Sequence, residues 1–341
     1  MPTLPLIAVT MGDPAGIGPE VCLQLLANEA VTEFAVPVIF GDAGMLAQCA
    51  RKTGLPEPRR VLSQSEWVAL QRDESPIQEA SVLHLPGFDA TDFVPGTVSA
   101  ATGAAGYHYV RQSIIAALAG EVAGVATAPL NKEALRAAGV QYPGHTEIFA
   151  DQTGAARACM FQYSEEVRAS FVTVHVGYHE VPALITRERI LDVIEMTADA
   201  MRRIRGREPK LAVLGLNPHA GEHGLFGNRE EERFIIPAIE DARARGLTVE
   251  GPLPPDTAFL PGKRRSTDAF ICMYHDQGHI PLKALAFDTA VNTTLGLPII
   301  RTSVDHGTAC DIAWQGKATG SSLFEAVKLA SLLAAGHRID G

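Results

Sequence analysis

The chain alternates short runs of apolar residues with segments of helical periodicity. Consecutive apolar residues occupy most of residues 5–12, 35–42, 124–129, 210–218 and 268–276. Continuous apolar strands of this kind are expected in a parallel sheet that helices cover on both faces. The alternation of such strands with helical segments therefore predicts an α/β protein with a mainly parallel sheet.

The helical segments carry recognisable start signals. One helix is predicted to begin at Pro19, and another is predicted over residues 103–119. Residues 187–204 place apolar side chains near one helical face, and the hydroxyl of Thr186 is positioned to cap the first turn. These helices supply the covering layers that apolar strands require.

Two further helical segments contain signals of their own. Pro237 is expected to divide residues 229–245 into two pieces, because proline lacks the N–H needed inside a helix but is accepted in a first turn. Ser322 and Glu325 form a capping-box pattern ahead of an apolar helix. We find no internal repeat or heptad pattern in the sequence.

Length and composition narrow the function classes. At 341 residues the chain is long enough for about two domains. Hydrophobic residues make up 46% and charged residues 20%, which is typical of a globular protein. A formal net charge of −10 argues against a general nucleic-acid surface. It is compatible with a local cluster of basic side chains that binds a small anion.

The N-terminus and the cysteines predict a cytoplasmic protein. Residues 1–10 lack the basic start and cleavage site of a signal peptide. No apolar run approaches the roughly 20 residues that span a bilayer. The 5 cysteines are odd in number and lack a CxxC pair, which predicts reduced and mostly buried thiols.

Three predicted strands lead to a histidine: SFVTVHVG to His175, LAVLGLNPH to His219, and FICMYHD to His275. The carboxyl ends of parallel strands border the ligand crevice in α/β folds. Three imidazoles from three strand ends are therefore candidate ligands of one metal ion, with positions left for water or substrate. The alternative is three unrelated structural histidines, and the residues alone leave both readings open.

Other polar residues are candidate ligands for an anion. His145 and Thr146 stand at the predicted start of a helix, where free backbone N–H groups favour anions. Lys283, Asn292 and Arg301 lie within about twenty residues of one another. Converging Lys and Arg side chains suit a phosphate or a carboxylate, whereas a solvated lysine and a structural arginine are the ordinary alternative.

A glycine- and proline-rich turn, GDPAGIGPE at residues 12–20, joins the first strand to the first helix. It lacks the GxGxxG spacing of a dinucleotide fingerprint, so a simple Rossmann assignment is excluded. A tight structural turn and a direct ligand contact are equally compatible with this sequence.

Several motifs together resemble one enzyme family. Residues 304–319 (VDHGTACDIAWQGKAT) resemble the loop of isopropylmalate and isocitrate dehydrogenases that binds the adenosine part of the nicotinamide cofactor. From about residue 6 to 335, the chain is similar to the 4-hydroxythreonine-4-phosphate dehydrogenase family of vitamin B6 biosynthesis. The motifs are MGDPAGIGPE, TAPLNKEAL, YPGHTE, GLNPHAGE, MYHDQG and GLPIIRTSVDHGTA. NKEAL, GLFG, YHDQGHIPLK and DIAWQGKA look like the sister enzymes acting on 4-phospho-D-threonate and 4-phospho-D-erythronate.

The resemblance implies roles for individual residues. The implied ligands of a divalent metal (Zn²⁺, Co²⁺ or Mg²⁺) are His175, His219 and His275. The implied substrate ligands are His145, Thr146, Lys283, Asn292 and Arg301. The implied contacts to NAD or NADP are His306, Gly307, Thr308 and Asp311.

The implied reaction is oxidation of a 4-phosphorylated 3-hydroxy acid, followed by decarboxylation. A divalent metal would lower the pKa of the substrate hydroxyl, hydride would pass to the nicotinamide, and the β-keto acid would lose carbon dioxide. Asp276 and Lys283 are the candidate general bases. A metal-dependent hydrolase using the same three histidines is the alternative, but it leaves the HGTACDIA loop without a role.

The resemblance also implies an architecture. It predicts two α/β/α domains of isocitrate- and isopropylmalate-dehydrogenase type, with the active-site cleft between them. Residues 1–130 with 305–341 would form the first domain with the cofactor loop, and residues 131–304 the second with the metal ligands and dimer interface. It further implies a homodimer in which His275 reaches the partner's site. The net charge and the short apolar runs predict no nucleic-acid or membrane partner.

Overall fold

The predicted apolar runs form strands. The computed structural model describes residues 4–87, 93–286 and 289–336. Within these residues the strands are β1 (Leu6–Thr10), β2 (Val36–Gly41), β3 (Val61–Leu62), β4 (Ser81–His84), β5 (Gly124–Thr127), β6 (Cys159–Tyr163), β7 (Arg168–Phe171), β8 (Lys210–Leu214), β9 (Thr248–Leu253), β10 (Ala269–Cys272), β11 (Val291–Leu295) and β12 (Arg301–Val304).

Helices alternate with most of these strands. In the described residues they are α1 (Gly18–Ala27), α2 (Ala43–Thr53), α3 (Gln64–Arg72), α4 (Ala100–Leu118), α5 (Lys132–Ala137), α6 (His145–Thr153), α7 (Val181–Leu184), α8 (Arg187–Arg205), α9 (Ile236–Ala244), α10 (Pro255–Ala258), α11 (Pro261–Ser266), α12 (His275–Ala286) and α13 (Ser321–Ala335). A 3₁₀ turn occupies Glu29–Glu33, a tight turn with left-handed inner residues occupies Pro218–Gly224, and a π-helical turn occupies Glu231–Ile235.

The described residues divide into two compact units. The first contains the residues up to Ala156 together with Leu297–Ala335, and the second contains Arg157–Gly296 together with Gly336. Parallel strands of the first unit lie in the order β3-β4-β2-β1-β5-β12. Ile7 and Val9 of β1 are fully buried. The core of this unit therefore surrounds its inner strand β1.

The second unit has the strand order β11-β6-β7-β10-β8-β9. Strands β7, β10, β8 and β9 are parallel, whereas β6 runs antiparallel to both of its neighbours. The N–H of Ser164 donates to the Val167 carbonyl at 3.0 Å, and this turn reverses the chain between β6 and β7. The predicted α/β class is confirmed, with β6 as the departure from parallel pairing.

Two local predictions are confirmed. Helix α8 follows Thr186, whose hydroxyl accepts the N–H of Arg189 at 3.1 Å. Pro237 lies in the first turn of α9, directly after the π-helical turn. In both cases the signal acts within one helical turn, so the local sequence suffices.

The predicted capping box at Ser322 is wrong. Helix α13 begins at Ser321, so Ser322 lies inside the first turn rather than before it. Its hydroxyl accepts the N–H of Asp305 at 3.4 Å instead. A long-range contact thus uses the group that the local pattern assigned to the helix start.

The unit boundaries differ from those expected for the domains. Residues 131–156 and 297–304, expected in the second domain, lie in the first unit. Helices α5 and α6 pack on α4, and β12 pairs with β5 so that Arg301 stands opposite Val125. These contacts hold both segments to the first unit. The isocitrate-dehydrogenase-type layout and its cleft stay a prediction.

The cysteines are free thiols, as predicted. Cys22, Cys49, Cys159 and Cys272 are buried, and Cys310 is partly exposed. Burial raises the pKa of Cys159 to about 12, so this thiol stays protonated near neutral pH. Across residues 4–87, 93–286 and 289–336, no helix combines the length and the apolar character needed to cross a membrane.

Candidate functional site

The three histidine-bearing segments leave one edge of the second unit's sheet. Strands β7, β10 and β8 are parallel neighbours, so their carboxyl ends lie side by side. The strands end before the histidines, at Phe171, Cys272 and Leu214. His175 and His219 therefore lie in the following loops, and His275 is the first residue of α12.

Buried side-chain hydrogen bonds tie these segments together. The hydroxyl of Thr173 donates to the Met273 carbonyl at 2.7 Å, which joins the β7 loop to the β10 loop. The Gln277 amide accepts the N–H of Met273 at 2.6 Å and donates to the Gly215 carbonyl at 2.8 Å, which joins the β10 loop to the β8 loop. Gln277 is only 7% exposed, so water competes little for these bonds. The predictions from sequence did not include Thr173 or Gln277.

His175 and His275 line a shared depression, together with Tyr178, Tyr274 and Asp276. The centroids of the two imidazole rings are 5.6 Å apart. The hydroxyl of Tyr178 donates to Asp276 Oδ2 at 2.5 Å. This hydrogen bond and a second one from His275 lower the pKa of Asp276, so its carboxyl group is an anion near neutral pH.

The Asp276 carboxylate orients the ring of His275. His275 Nδ1 lies 2.7 Å from Asp276 Oδ1. Because an ionised carboxylate only accepts hydrogen bonds, the imidazole proton belongs on Nδ1. The lone pair of the neutral ring is then on Nε2, the arrangement usual for a metal-binding histidine.

His279 supports His275 from within the same helix. The two rings are stacked, with centroids 3.8 Å apart and an interplanar angle of 9°. His279 Nδ1 donates to the His275 carbonyl at 3.0 Å, so its Nε2 accepts from Gln162 at 3.2 Å. The i, i+4 spacing is the sequence signal for this contact, but His279 was not among the predicted site residues.

His219 occupies a different environment. It lies in the tight turn Pro218–Gly224 and is exposed, with its ring centroid 6.2 Å from that of Phe226. In the described part of the chain, no group of three or more His, Cys, Asp or Glu side chains is arranged to hold a metal ion. The structure thus brings together His175 and His275 but does not complete a three-histidine centre within the described residues of one chain.

Two predicted anion ligands, His145 and Thr146, lie in the first turn of α6 in the first unit. His145 begins α6 as predicted, and no side chain caps this helix start. His145 Nε2 is buried without a hydrogen-bond partner among the described residues. Burial, aided by the charge of Arg301, lowers the pKa of His145 well below its usual value, so the ring is neutral at pH 7. Thr146 follows in the same first turn and is half-buried.

Arg301 is a buried cation on β12. It is 2% exposed, its Nη2 donates to the Thr127 hydroxyl at 3.1 Å, and its guanidinium lies 5.5 Å from the ring centroid of Phe149. Burial lowers the pKa of Arg301 to about 9, although Glu147 acts in the opposite direction. A guanidinium that is costly to bury beside a helix N-terminus suits a bound anion.

Two predicted substrate ligands lie in the second unit. Lys283 is exposed on α12, and Asn292 is half-buried on β11. The Oδ1 atom of Asn292 is buried and has no hydrogen-bond partner among the described residues. A buried amide oxygen of this kind is suited to accept a hydrogen bond from a ligand.

The predicted cofactor loop packs on the GDPAGIGPE turn. The N–H of Ile17 donates to the Thr308 carbonyl at 2.9 Å. A Cβ atom on Gly16 would lie 2.8 Å from Thr308 Cβ, so this contact requires glycine. His306 donates from Nδ1 to the Gly307 carbonyl at 3.1 Å. The GDPAGIGPE turn therefore has a structural reason for glycine at position 16.

The outer part of the same loop is open. Gly307 and Asp311 are exposed, whereas Thr308 is buried. The space around Gly307 is clear of other atoms for 4 Å from the position of a Cβ. The structure thus assigns Thr308 to packing within the unit, and it leaves Gly307 and Asp311 accessible to a ligand.

Comparisons with known proteins give a consistent result. Residues 33–330 match the family model described as pyridoxal phosphate biosynthetic protein PdxA. The chain is 42% identical over 331 residues to a 4-hydroxythreonine-4-phosphate dehydrogenase of Desulforapulum autotrophicum, which covers 97% of this chain and 96% of the relative. It is also 42% identical over 331 residues to a D-threonate 4-phosphate dehydrogenase of Salmonella typhimurium, covering 96% and 98%.

A solved structure shows the same fold. The crystal structure of a 4-hydroxythreonine-4-phosphate dehydrogenase from Klebsiella pneumoniae matches with a TM-score of 0.85 and 41% identity, covering 98% of this chain and 99% of that one. The dehydrogenase names of these relatives identify the chain as an enzyme of the oxidoreductase class. Sequence motifs, fold and relatives agree, and the chain belongs to the PdxA family.

Proposed function

We propose that the enzyme oxidises a 4-phosphorylated 3-hydroxy acid with NAD or NADP and a divalent metal, and that the keto acid then loses carbon dioxide. The substrate would be 4-hydroxythreonine 4-phosphate, D-threonate 4-phosphate or D-erythronate 4-phosphate. The observation that carries this proposal is the pair His175 and His275, with rings 5.6 Å apart, in a chain of the PdxA family.

The donor set fits a divalent metal. His175 and His275 would hold it, with His219 as the third ligand, and the Asp276 carboxylate keeps the Nε2 lone pair of His275 available. Three neutral nitrogen donors suit Zn²⁺ or Co²⁺ better than Mg²⁺, which prefers oxygen ligands. When bound, the metal would polarise the substrate hydroxyl and the nicotinamide would accept the hydride.

The chain's own residues would manage the hydroxyl proton. Both oxygens of Asp276 already accept hydrogen bonds, from His275 and Tyr178, so we assign Asp276 to orienting His275. Lys283 follows Asp276 by two helical turns on α12, which places both on about the same helix face. Lys283 is therefore our candidate for proton transfer at the substrate.

The phosphate or carboxylate of the substrate would bind in the first unit at the start of α6. Arg301 supplies the cation, the first-turn N–H groups at His145 and Thr146 supply donors, and the neutral His145 ring can hydrogen-bond without adding charge. Binding energy from this distant group can orient the carbon that loses hydride. In the second unit, the buried amide oxygen of Asn292 is a further candidate substrate contact.

The cofactor would bind at residues 306–311. Gly307 and Asp311 are the accessible members of this loop, with His306 beside them. An exposed carboxylate such as Asp311 can accept hydrogen bonds from ribose hydroxyls. The hydrolase alternative offers no use for this loop, and we do not retain it.

Activity with a substrate panel tests the proposed function. The three phosphorylated acids are offered separately with NAD⁺ or NADP⁺, and both reduced nicotinamide and carbon dioxide are measured. We expect equal amounts of the two products from at least one acid. Formation of neither product from any of the three, by a protein that is folded and loaded with zinc or cobalt, would reject the proposal.

We further propose a homodimer with active sites shared between subunits. The described residues of one chain do not complete a three-ligand centre. Because the rings of His175 and His275 lie 5.6 Å apart in one chain, we assign the ligand from the partner subunit to His219, in place of the His275 that the resemblance implied. A closed two-fold dimer would make both sites composite.

Subunit mixing tests the shared site. His219→Ala and His275→Ala proteins are each inactive under this proposal, and in a mixed dimer one site carries both lesions while the other is intact. We expect mixing to restore about half of the wild-type activity per mixed dimer. Mixing His275→Ala with His275→Asn is the matched control, because lesions at the same position cannot complement. Absence of restored activity despite demonstrated subunit exchange would exclude the shared arrangement.

A further inference from the structure

The turn that carries His219 has an unusual backbone. His219, Ala220, Gly221, Glu222 and His223 all adopt left-handed conformations, with φ of 53°, 51°, 81°, 45° and 57°. At each non-glycine residue this conformation is disfavoured, because the Cβ atom approaches the following carbonyl oxygen. Left-handed residues normally occur singly, so a run of five requires support from the surrounding structure.

The support comes from the buried carboxylate of Glu231. Its Oε1 accepts the N–H groups of Leu216 at 2.9 Å and Asn217 at 2.8 Å, and its Oε2 accepts the Asn217 side-chain amide at 3.0 Å. Glu231 is 1% exposed. Three donors therefore converge on this one carboxylate from the chain segment that immediately precedes the left-handed turn.

Glu231 also lies directly against the turn. A Cβ atom at Gly221 would stand 2.6 Å from Glu231 Oε2. The turn can therefore approach the carboxylate only with glycine at this position. Glu231 begins the π-helical turn that leads into α9, so it is anchored by regular structure on its other side.

A buried carboxylate is costly unless it is fully hydrogen-bonded. Here two of its three bonds hold the backbone N–H groups of Leu216 and Asn217, and the third holds the Asn217 side chain, directly before the left-handed turn. We propose that Glu231 is a positioning residue for His219: it holds the left-handed turn that presents this imidazole to the metal. This inference rests on the proposed function of His219 as a ligand.

Removal of the carboxylate should loosen the turn and weaken the metal site. In Glu231→Ala we expect apparent zinc affinity, measured by competition with a chelator, to fall by about 10- to 100-fold, the range typical of residues that orient metal ligands. We expect amide hydrogen exchange at Leu216 and Asn217 to accelerate by at least about tenfold. Glu231→Gln keeps an oxygen that can accept both N–H groups, so it should restore most of the zinc affinity.

Glu230 provides a matched control. It is also buried, at 4% exposure, and it accepts hydrogen bonds from the Asn217 side chain and the Asn228 N–H rather than from the backbone of Leu216. We expect Glu230→Ala to change zinc affinity by less than about threefold. Gly221→Ala disturbs the turn itself, through its left-handed φ of 81° and through the close approach to Glu231, and should weaken zinc binding in a chain whose carboxylate is intact.

The outcomes are distinguishable. Unchanged zinc affinity in both Glu231→Ala and Gly221→Ala, or equal losses in Glu231→Ala and Glu230→Ala, would overturn the positioning role. A loss of zinc affinity that only follows a general fall in Tm, without rescue by Glu231→Gln, would overturn it too. A wild-type enzyme that binds no zinc or cobalt would contradict the proposed metal function, and the amide exchange would then still decide whether Glu231 holds the turn.

Discussion

Replacing His175 or His275 by alanine is expected to lower kcat/KM by at least about 1,000-fold, which corresponds to about 4 kcal/mol of lost transition-state stabilisation. The two rings face one depression and are 5.6 Å apart. Each substitution removes one of the nitrogen donors proposed for the metal. Both residues follow the carboxyl ends of their strands and lie outside the hydrophobic core. We therefore expect Tm to change by only a few degrees.

Metal content is the second measurement on these variants. Wild-type enzyme stripped with a chelator should regain activity when Zn²⁺ or Co²⁺ is added, whereas His175→Ala, His219→Ala and His275→Ala should not. A cobalt-loaded sample adds a spectroscopic signature of the ligand set. His179→Ala is the matched control, because His179 is an exposed histidine close to His175 in the chain. Full metal occupancy in the His219→Ala enzyme would remove His219 from the ligand set.

Replacing Arg301 by methionine is expected to lower kcat/KM for the phosphorylated substrate by about 100-fold, or about 3 kcal/mol, because a charge-assisted hydrogen bond to the anion is lost. The dephosphorylated substrate lacks that anion and should lose less than about threefold. Methionine preserves much of the side-chain length and its contact with Phe149. The difference between the losses of kcat/KM for the two substrates measures the contribution of the Arg301 charge to phosphate binding.

The Tm of Arg301→Met should not fall together with its kcat/KM. Burial lowers the pKa of Arg301 to about 9, which means that the folded environment disfavours the cation. Thr127 keeps a hydrogen bond in the variant, because its hydroxyl also donates to the Thr302 carbonyl at 3.3 Å. We therefore expect Arg301→Met to leave Tm unchanged or to raise it. A large fall in Tm would indicate a structural role for Arg301.

Inorganic phosphate provides an independent measurement of the same site. A ligand that binds only the folded state raises its stability, so phosphate should raise the Tm of the wild type but not of Arg301→Met. Arg168→Met is the matched control: Arg168 is also buried, at 6% exposure, and pairs with Glu165 in the second unit. Equal losses of kcat/KM for the two substrates in Arg301→Met would assign Arg301 to packing or to the carboxylate.

Local sequence determined the elements whose signals act over one helical turn or one strand. Thr186 caps α8, Pro237 lies in the first turn of α9, and His145 begins α6, because each depends on residues a few positions apart. The apolar runs likewise predicted the buried strands, since burial on both faces of a sheet requires apolar residues throughout. The motifs also identified the family, which comparison confirmed.

Only the tertiary structure decided how these elements are connected in space. Gln277 joins two loops through Met273 and Gly215, and the Ser322 hydroxyl bonds to Asp305 rather than capping α13. The sequence shows the donor and the acceptor of each bond, but it does not show which distant partner will be within reach.

The histidine pattern in the sequence did not predict the contacts around the three histidines, because these contacts also join distant segments. The order of strands in the sheet brings the His175 and His275 segments side by side, and Glu231 supports the left-handed turn at His219 from a separate helical segment. Residue types along the chain determined that three imidazoles near strand ends, an arginine and a glycine-containing loop at residues 306–311 were available. Packing of the sheet determined which of them meet, because hydrogen bonds and ligand contacts depend on distances that only the folded backbone establishes.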